Sequence, residues 1–390
     1  MVNAVYDHVV AIVIVGLMFV GAVVVMPTMS FVNLQVIDQQ QLRNTALNVF
    51  NTILLDTGQP INWGSIRDFT TNDLRVKRFG LAGAEESTLY VLDPDKVQRL
   101  VNGNPLGEMT YARVKQLLGL QGYGFSLKII PPFIVTFSSN DISVVGNTLS
   151  YRAEVSYLDG RPIPNAQIYS TVVYSKGNDY FNISQSGPSQ TNALGMCSGT
   201  VTLGVTSPDY YMVTLRVTVA DVATLIVTSG QTFDNKIARI NIVYDTVVLT
   251  SWKDPPDFNE PPNMNVWILD IVAFDSEGTL WYLFEGPSSG NEGNRFNSGD
   301  GLFERWSKIF HGLHDSDPVI MIFNFWAIDE QGHGRSQVLV TVAYPNLLGS
   351  SVFEYGGYAN VASSAVRIQR SVQISGMTFT AELWLWKESP

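Results

Sequence analysis

The chain of 390 residues is 45% hydrophobic and 15% charged, which is enough apolar material for several cores and predicts roughly two to four domains. Its formal net charge of -11 argues against a nucleic-acid-binding protein, which would present a basic surface. The single cysteine, Cys197, excludes an internal disulfide framework.

The N-terminal run 9–37 contains no charged residue and little that is polar before Ser30. A helix that crosses a membrane needs about 20 apolar residues, and backbone groups in lipid must bond within their own segment. The sequence therefore predicts a transmembrane or assembly helix with a kink at Pro27. Because no basic residue precedes the run and no A-x-A cleavage site follows it, we expect a retained anchor and not a removed signal peptide. The residues expected to form its apolar surface are Val9, Ile12, Val13, Leu17, Phe19, Val20, Val24, Pro27 and Phe31.

Directly after this run, apolar residues recur every three to four positions, which predicts an amphipathic continuation of the helix. Gly58 and Pro60 predict that the helix ends near Asp56. We expect the apolar stripe either to pack on the first globular unit or to mediate self-association. The stripe consists of Leu42, Ala46, Val49, Phe50, Ile53 and Leu54.

A hydrophobic half followed by an amphipathic half resembles the N-terminal helix of type IV pilins and their archaeal relatives. The segments NWGS (62–65), FGLAG (79–83), LDPDKV (92–97) and LLGLQGYGF (117–125) are similar to a module of archaeal pilin-like surface proteins, and the likeness covers roughly the first third of the chain. The resemblance implies a surface protein whose helix packs in a filament core. Pilin precursors carry a short basic leader, which does not precede the helix here.

From 59 to 131 the pattern predicts a small α+β unit. Asp93 and Pro94 form an N-cap and N1 pair that opens a short helix, and 110–118 reads as a second helix closed by a glycine. Alternating apolar residues over 123–129 predict a strand. The prolines that follow predict a domain boundary.

From 132 to 229, short alternating runs separated by turn clusters predict an antiparallel β-sandwich. The segments GRPIPNA (160–166) and TNALG (191–195) resemble the immunoglobulin-like repeats of bacterial and archaeal surface proteins, which serve as spacers or adhesive modules. Strand-like runs dominate again from 230 to 390 and predict a second β-rich domain. One helix is predicted within it from the spacing of Leu302, Phe303, Trp306, Ile309, Phe310 and Leu313.

Three stretches have residues that could carry chemistry, and the plainer interpretation is favoured for each. GPSSG (286–290) matches the G-x-S-x-G elbow around Ser288, but a loop-like sequence follows where the elbow needs a helix. The loop 291–300 lacks the regular spacing of an EF-hand calcium loop. A polar helix end is favoured over a metal site at the remaining cluster, because strict zinc-site spacing is absent. Its weak candidate ligands are His311, His314, Asp315 and Asp317, with His333.

Two surface features point to an exterior location or a glycan. Asn182 begins an N-glycosylation sequon. Several aromatic residues could line a sugar-binding face, although core packing explains aromatics in strands equally well. These aromatics are Tyr210, Tyr211, Trp252, Trp267, Trp281, Trp384 and Trp386.

These patterns predict a mainly β fold class with a long N-terminal α-helix (1–58), a small α+β unit (59–131), an immunoglobulin-like β-sandwich (132–229) and a second β-rich domain (230–390). We expect a non-enzymatic, structural or adhesive cell-surface protein, anchored as a single-pass membrane protein with its C-terminal part outside the cell. The alternative is a pilin-like subunit of an extracellular filament, and an anchored surface enzyme is least favoured. Expected partners are the lipid bilayer or neighbouring copies, and a surface glycan or protein as ligand. No cofactor, metal or nucleic acid is expected.

Overall fold

The computed structural model describes residues 2–83, 90–102, 104, 107–176, 182–220, 222–229, 238–243, 245–251, 264–275, 280–285, 295–297, 305–310, 319–329, 336–344, 352–358 and 364–388. In parts of several helices and strands, including 2–7 and 21–38, only the backbone is described. Strands are the main element of the described residues.

The elements follow in this order. The helices are α1 (Val2–Leu55), α2 (Pro94–Gln98) and α3 (Tyr111–Leu117), with 3₁₀ turns at Trp63–Ser65 and Ser139–Asp141. The strands up to residue 229 are β1 (Val91–Leu92), β2 (Tyr123–Ile130), β3 (Ile134–Thr136), β4 (Ile142–Val145), β5 (Thr148–Ser156), β6 (Gln167–Ser175), β7 (Asn182–Gln190), β8 (Met196–Thr202), β9 (Tyr210–Val219) and β10 (Val222–Ser229). The later strands are β11 (Ala238–Val243), β12 (Thr246–Ser251), β13 (Met264–Phe274), β14 (Leu280–Glu285), β15 (Arg295–Asn297), β16 (Arg305–Ile309), β17 (Val319–Asp329), β18 (Ser336–Tyr344), β19 (Phe353–Gly356), β20 (Ala365–Ile374) and β21 (Met377–Lys387).

The first unit, which we call the base, combines residues from both ends of the described chain. Its five-stranded sheet has the order β1-β20-β21-β2-β19, so three of its strands come from beyond residue 352. The second half of α1 packs on this sheet through contacts with β20 and β21. Two short helices follow the predicted signals, since the Asp93 side chain caps α2 and the Thr110 side chain caps α3.

The predicted fold class was wrong. It placed a long helix, an α+β unit and two β-rich domains one after another, whereas ranges 59–131 and 230–390 contribute strands to one sheet. The pattern along the chain predicts strands but not which distant strand each one pairs with. Strand β2 near residue 125, for example, pairs with β21 near residue 385. In the apolar part of α1, side-chain exposure is described only for residues 8–20.

The predicted single-pass transmembrane helix and the cell-membrane localisation are also corrected. A bilayer crossing needs about 20 apolar residues in one helix. Across the described residues, no helix has both the length and the apolar character that a membrane crossing requires.

Residues 133–229 form a sandwich of two antiparallel sheets. One sheet contains β3 and β4 on one side of β5 and β8 on the other, and the second has the order β10-β9-β6-β7. Alternate residues of both sheets fill a buried core between them, as the period of two along a strand requires. The two turn segments singled out in the sequence meet at Thr191, whose hydroxyl accepts from Ala166 N at 2.8 Å and donates to Ile163 O at 2.7 Å.

The third unit is built from a three-stranded sheet, β11-β12-β16, and a larger one ordered β14-β13-β17-β18 with β15 paired to β13. The predicted helix at 302–313 was wrong, because residues 305–309 form β16, which pairs with β12. Val272, Phe274, Ile320 and Ile322 of the larger sheet join a buried cluster with the outer face of β6, β9 and β10. Apolar burial therefore fixes the third unit against the sandwich.

Candidate functional site

Most of the residues considered for chemistry in the sequence lie outside the described residues. These are Ser288, His311, His314, Asp315, Asp317 and His333. Of the loop 291–300, only the backbone of β15 is described. Within the described ranges, no group of three His, Cys, Asp or Glu side chains could hold a metal ion.

The aromatic residues do not assemble into one sugar-binding face. Trp386 is buried and its indole ring lies directly over Gly124, where a side chain would overlap it. Trp384 donates to the buried Glu382 carboxylate, and Arg367 lies over its ring. Core packing and ion pairing thus account for both tryptophans.

The remaining aromatic candidates are separated or undescribed. Tyr210 packs against the cluster between the sandwich and the third unit, whereas Tyr211 packs against the sandwich core. They lie on opposite faces because successive strand residues alternate. The side chains of Trp252, Trp267 and Trp281 lie outside the described residues.

Asn182 is exposed at the first position of β7, where it pairs with Tyr174 of β6. Its side chain is therefore open to solvent. Glycosylation of this sequon stays a prediction.

The predicted helix surface at 8–20 is solvent-exposed on every side. We call this stretch the apolar segment. Its ten large hydrophobic side chains have exposed fractions between 49% and 72%. Successive residues of a helix are rotated by about 100°, so these side chains surround the axis. They are Val9, Val10, Ile12, Val13, Ile14, Val15, Leu17, Met18, Phe19 and Val20, while the side chains of Val24, Pro27 and Phe31 lie outside the described residues.

The exposed apolar area of this segment is on the order of 1,000 Å², summed from these fractions and ordinary side-chain areas. The largest apolar patch on a typical monomer is roughly 300–600 Å². The segment therefore exceeds what a folded monomer usually leaves in water, and such a surface marks an interaction site.

The second half of α1 is, by contrast, fully engaged with the base, which confirms the predicted apolar stripe. All six stripe residues, Leu42, Ala46, Val49, Phe50, Ile53 and Leu54, are buried in one core cluster. The helix ends at Leu55, next to the predicted Asp56. Its last turn is capped by the following chain, because Leu81 N donates to Ile53 O at 2.8 Å and Ala82 N donates to Asp56 O at 3.1 Å.

Buried polar residues hold the base together beneath this helix. The Asp93 carboxylate caps α2 and lies 3.5 Å from the Lys96 ammonium, which donates to Ala82 O at 2.7 Å. Burial raises the pKa of Asp93 and lowers the pKa of Lys96, while the opposite charge of each partner acts in the reverse direction. The Arg99 guanidinium donates to Gly64 O at 3.1 Å and Ile66 O at 2.8 Å and lies 4.6 Å from the Phe69 ring centroid. These bonds satisfy the buried charges and give the base one arrangement.

A groove lies on the sandwich, and the sequence did not predict it. This groove has a volume of about 490 Å³. Most of its lining residues have polar side chains, although polar and apolar atoms contribute similar amounts of its surface. The lining consists of Asp141, Ser143, Ser150, Tyr151, Arg152, Ser186, Ser189, Ser198, Gly199 and Thr200. The sequence signal was the alternation of Ser and Thr on the outward positions of β5 and β8, but spacing alone cannot bring four strands together.

The comparisons with known proteins assign no family. No family model and no curated protein matches the chain. Among solved structures it is similar to trypsin-activated α2-macroglobulin from Escherichia coli, with 11% identity over 63% of this chain and a TM-score of 0.19. It is also similar to a mutant Salmonella α2-macroglobulin, with 10% identity over 69% of this chain and a TM-score of 0.18.

This chain spans only 19% and 20% of the lengths of those two proteins. Likenesses this weak carry no functional conclusion. These comparisons do not bear on the resemblance to archaeal pilin-like proteins, which stays a prediction.

Proposed function

We propose that this protein is a non-enzymatic structural subunit that self-associates through the apolar segment of α1, so that copies of the base and the β-rich units surround a bundle of helices. The observation that carries this proposal is the exposure of ten large apolar side chains on all sides of residues 8–20. The buried stripe on the second half of α1 supplies the rigid connection between the bundle and the base.

A second copy of the same helix is the occupant that best fits this surface. The segment 9–20 has no charged side chain, so parallel copies would meet without repulsion along their contact. A standard interface buries about 800 Å² on each partner, and the exposed area is of that size. Burial of half of it would contribute on the order of 10 kcal/mol per chain at about 25 cal/mol per Å², against a cost of association of roughly 4–15 kcal/mol.

The apolar side chains surround the whole helix, and this favours an assembly of more than two copies. In a helix pair each partner covers one side of the other and leaves the far side in water. Bundles of several helices bury the inward sides of all members. We therefore expect trimers or larger assemblies. Because each chain carries a net charge of -11, salt should strengthen assembly by screening the repulsion between the globular units.

The test compares two substitutions of exposed hydrophobic residues. Ile12 in the apolar segment is 71% exposed and Leu74 in the base is 73% exposed, so Ile12→Glu and Leu74→Glu place the same charge on equally open positions. Sedimentation velocity over a range of protein concentrations measures the assembly state. We expect the wild type and Leu74→Glu to form the same oligomer and Ile12→Glu to be a monomer, because a carboxylate buried in a helix bundle lacks a partner.

Two results would contradict self-association. The first is a wild-type protein that stays monomeric at all concentrations. The second is flotation of the wild type with phosphatidylcholine vesicles in preference to oligomer formation, which would make lipid the occupant of the helix surface.

A further inference from the structure

The groove on the sandwich is formed by four strands from both sheets. Strands β4, β5 and β8 supply neighbouring residues of one sheet, and β7 of the other sheet supplies Ser186 and Ser189. The strand register places Ser150 between Ser143 and Thr200, its cross-strand partners on the two sides. Adjacent strands are about 4.8 Å apart, so three hydroxyl groups form a row across the sheet.

The outward hydroxyl groups of this row are available for a ligand. Among the described residues, no hydrogen bond is formed by the side chains of Ser143, Ser150, Ser198 or Thr200. A hydroxyl group can donate one hydrogen bond and accept others. The groove therefore offers both donors and acceptors without first breaking bonds within the protein.

The floor of the groove is fixed by Tyr151 and Gly199, which are cross-strand partners. A side chain at position 199 would overlap the Tyr151 hydroxyl, so glycine is needed where the ring passes. Tyr151 is buried, and burial raises the pKa of its phenol. The phenol therefore stays neutral, and the floor is rigid before any ligand arrives.

The charges that border the groove cancel and are already engaged. The Asp141 carboxylate accepts from Ser138 N at 3.0 Å and from the Ser138 hydroxyl at 2.7 Å. The Arg152 guanidinium contacts Met196 Sδ at 3.4 Å. One carboxylate and one guanidinium give no net attraction for an anion, and the apolar atoms of the lining can contact the carbon skeleton of a ligand.

From this geometry we propose that the groove is a binding site for a neutral polyhydroxylated ligand of the size of a disaccharide, held by the hydroxyl row of Ser143, Ser150 and Thr200. Its volume of about 490 Å³ lies within the range of roughly 300–1,000 Å³ found for small-molecule sites. A sugar presents hydroxyl groups that match such a row in donor and acceptor character. The proposal does not depend on self-association through α1, since the groove lies wholly within the sandwich.

The experiment uses the full chain and three neutral disaccharides, cellobiose, maltose and N,N′-diacetylchitobiose, with sialyllactose as the anionic comparison. Saturation-transfer NMR detects binding and titration gives the dissociation constant. Thr200→Tyr fills the groove, and Thr202→Tyr places the same side chain two residues along the same face of β8, outside the lining. Both positions are exposed, so neither substitution disturbs the core.

We expect at least one neutral disaccharide to bind the wild type and Thr202→Tyr equally, and Thr200→Tyr to weaken that binding tenfold or more. The proposal is overturned if none of the three binds at millimolar concentration, if the two variants bind alike, or if sialyllactose binds as tightly as the neutral sugars. Sedimentation of the same samples reports the assembly state separately, so a failure of the groove and a failure of self-association are distinguishable.

Discussion

Leu54 and Leu55 provide an internal comparison of how α1 is attached to the base. The two leucines are neighbours in the last turn of the helix, yet Leu54 is fully buried and Leu55 is 40% exposed. We expect Leu54→Ala to lower the free energy of unfolding of the base by about 3–4 kcal/mol, of which about 2.4 kcal/mol is the transfer of three carbons and the rest is the cavity left behind. Leu55→Ala should lower it by about 1 kcal/mol or less, because much of its side chain already contacts water.

Hydrogen exchange of the peptide that covers 42–55 is the direct measurement. A loss of about 3 kcal/mol in local stability makes exchange roughly 100-fold faster, whereas Leu55→Ala should change it less than about tenfold. Urea unfolding followed by tryptophan fluorescence provides the global value, since Trp63 is buried in the same cluster. Equal effects of the two substitutions would refute the packing of the stripe, and with it the rigid connection that self-association requires.

Two further predictions concern polar residues of the base. Asp73 accepts from the Arg75 guanidinium at 2.6 Å and from Arg75 N at 2.9 Å. These bonds lower the pKa of Asp73 to about 2. Carboxyl-carbon NMR should find this pKa in the wild type and a pKa nearer 4 in Arg75→Gln. Because the folded pKa lies below the unfolded value of about 3.9, this contribution to stability is present above pH 4 and is lost as the pH falls towards 2. Arg99→Lys should lower the free energy of unfolding by about 3 kcal/mol in thermal unfolding, because an ammonium cannot reach the carbonyls of Gly64 and Ile66 together. Arg43→Lys at an exposed position is the control, with an expected change in the free energy of unfolding below about 0.5 kcal/mol. Equal losses of stability at the two positions would contradict the role of the two Arg99 guanidinium bonds.

Local signals in the sequence were sufficient wherever the structure depends on neighbours along the chain. The Leu42–Leu54 spacing gives a stripe because a helix returns to the same face every three to four residues. Asp93 gives a helix start because its carboxylate accepts from Asp95 N and Lys96 N. The Asp93 bonds lie within one turn of the helix, so they form without a distant partner.

The prediction at 302–313 failed because tertiary pairing overrode periodicity. Trp306 and Ile309 are spaced as in a helix, yet the register sets them opposite Leu249 and Thr246 of β12. Backbone bonds to a distant strand satisfy the same amide groups that a helix would satisfy locally. Spacing over about twelve residues cannot decide between the two.

The two candidate surfaces, the apolar segment and the groove, also differ in whether the sequence could predict them. The apolar segment was visible in the sequence because its character comes from consecutive residues. The groove was not visible, because Ser143, Ser150, Ser186 and Thr200 meet only after two sheets have packed face to face. Single hydroxyl residues on strands are ordinary, and their meaning depends on the register between strands.

The topology of the base shows where the sandwich and the third unit are inserted into it. Strand β2 ends at Ile130 and β19 begins at Phe353, and Phe353 pairs with Ile129. The sandwich and the third unit therefore leave and re-enter the base at one edge of its sheet. α1 contacts β20 and β21, which are the last strands of the base along the chain. A chain that lacked them would lose part of the cover of the stripe, which residues such as Trp63 and Phe79 also bury.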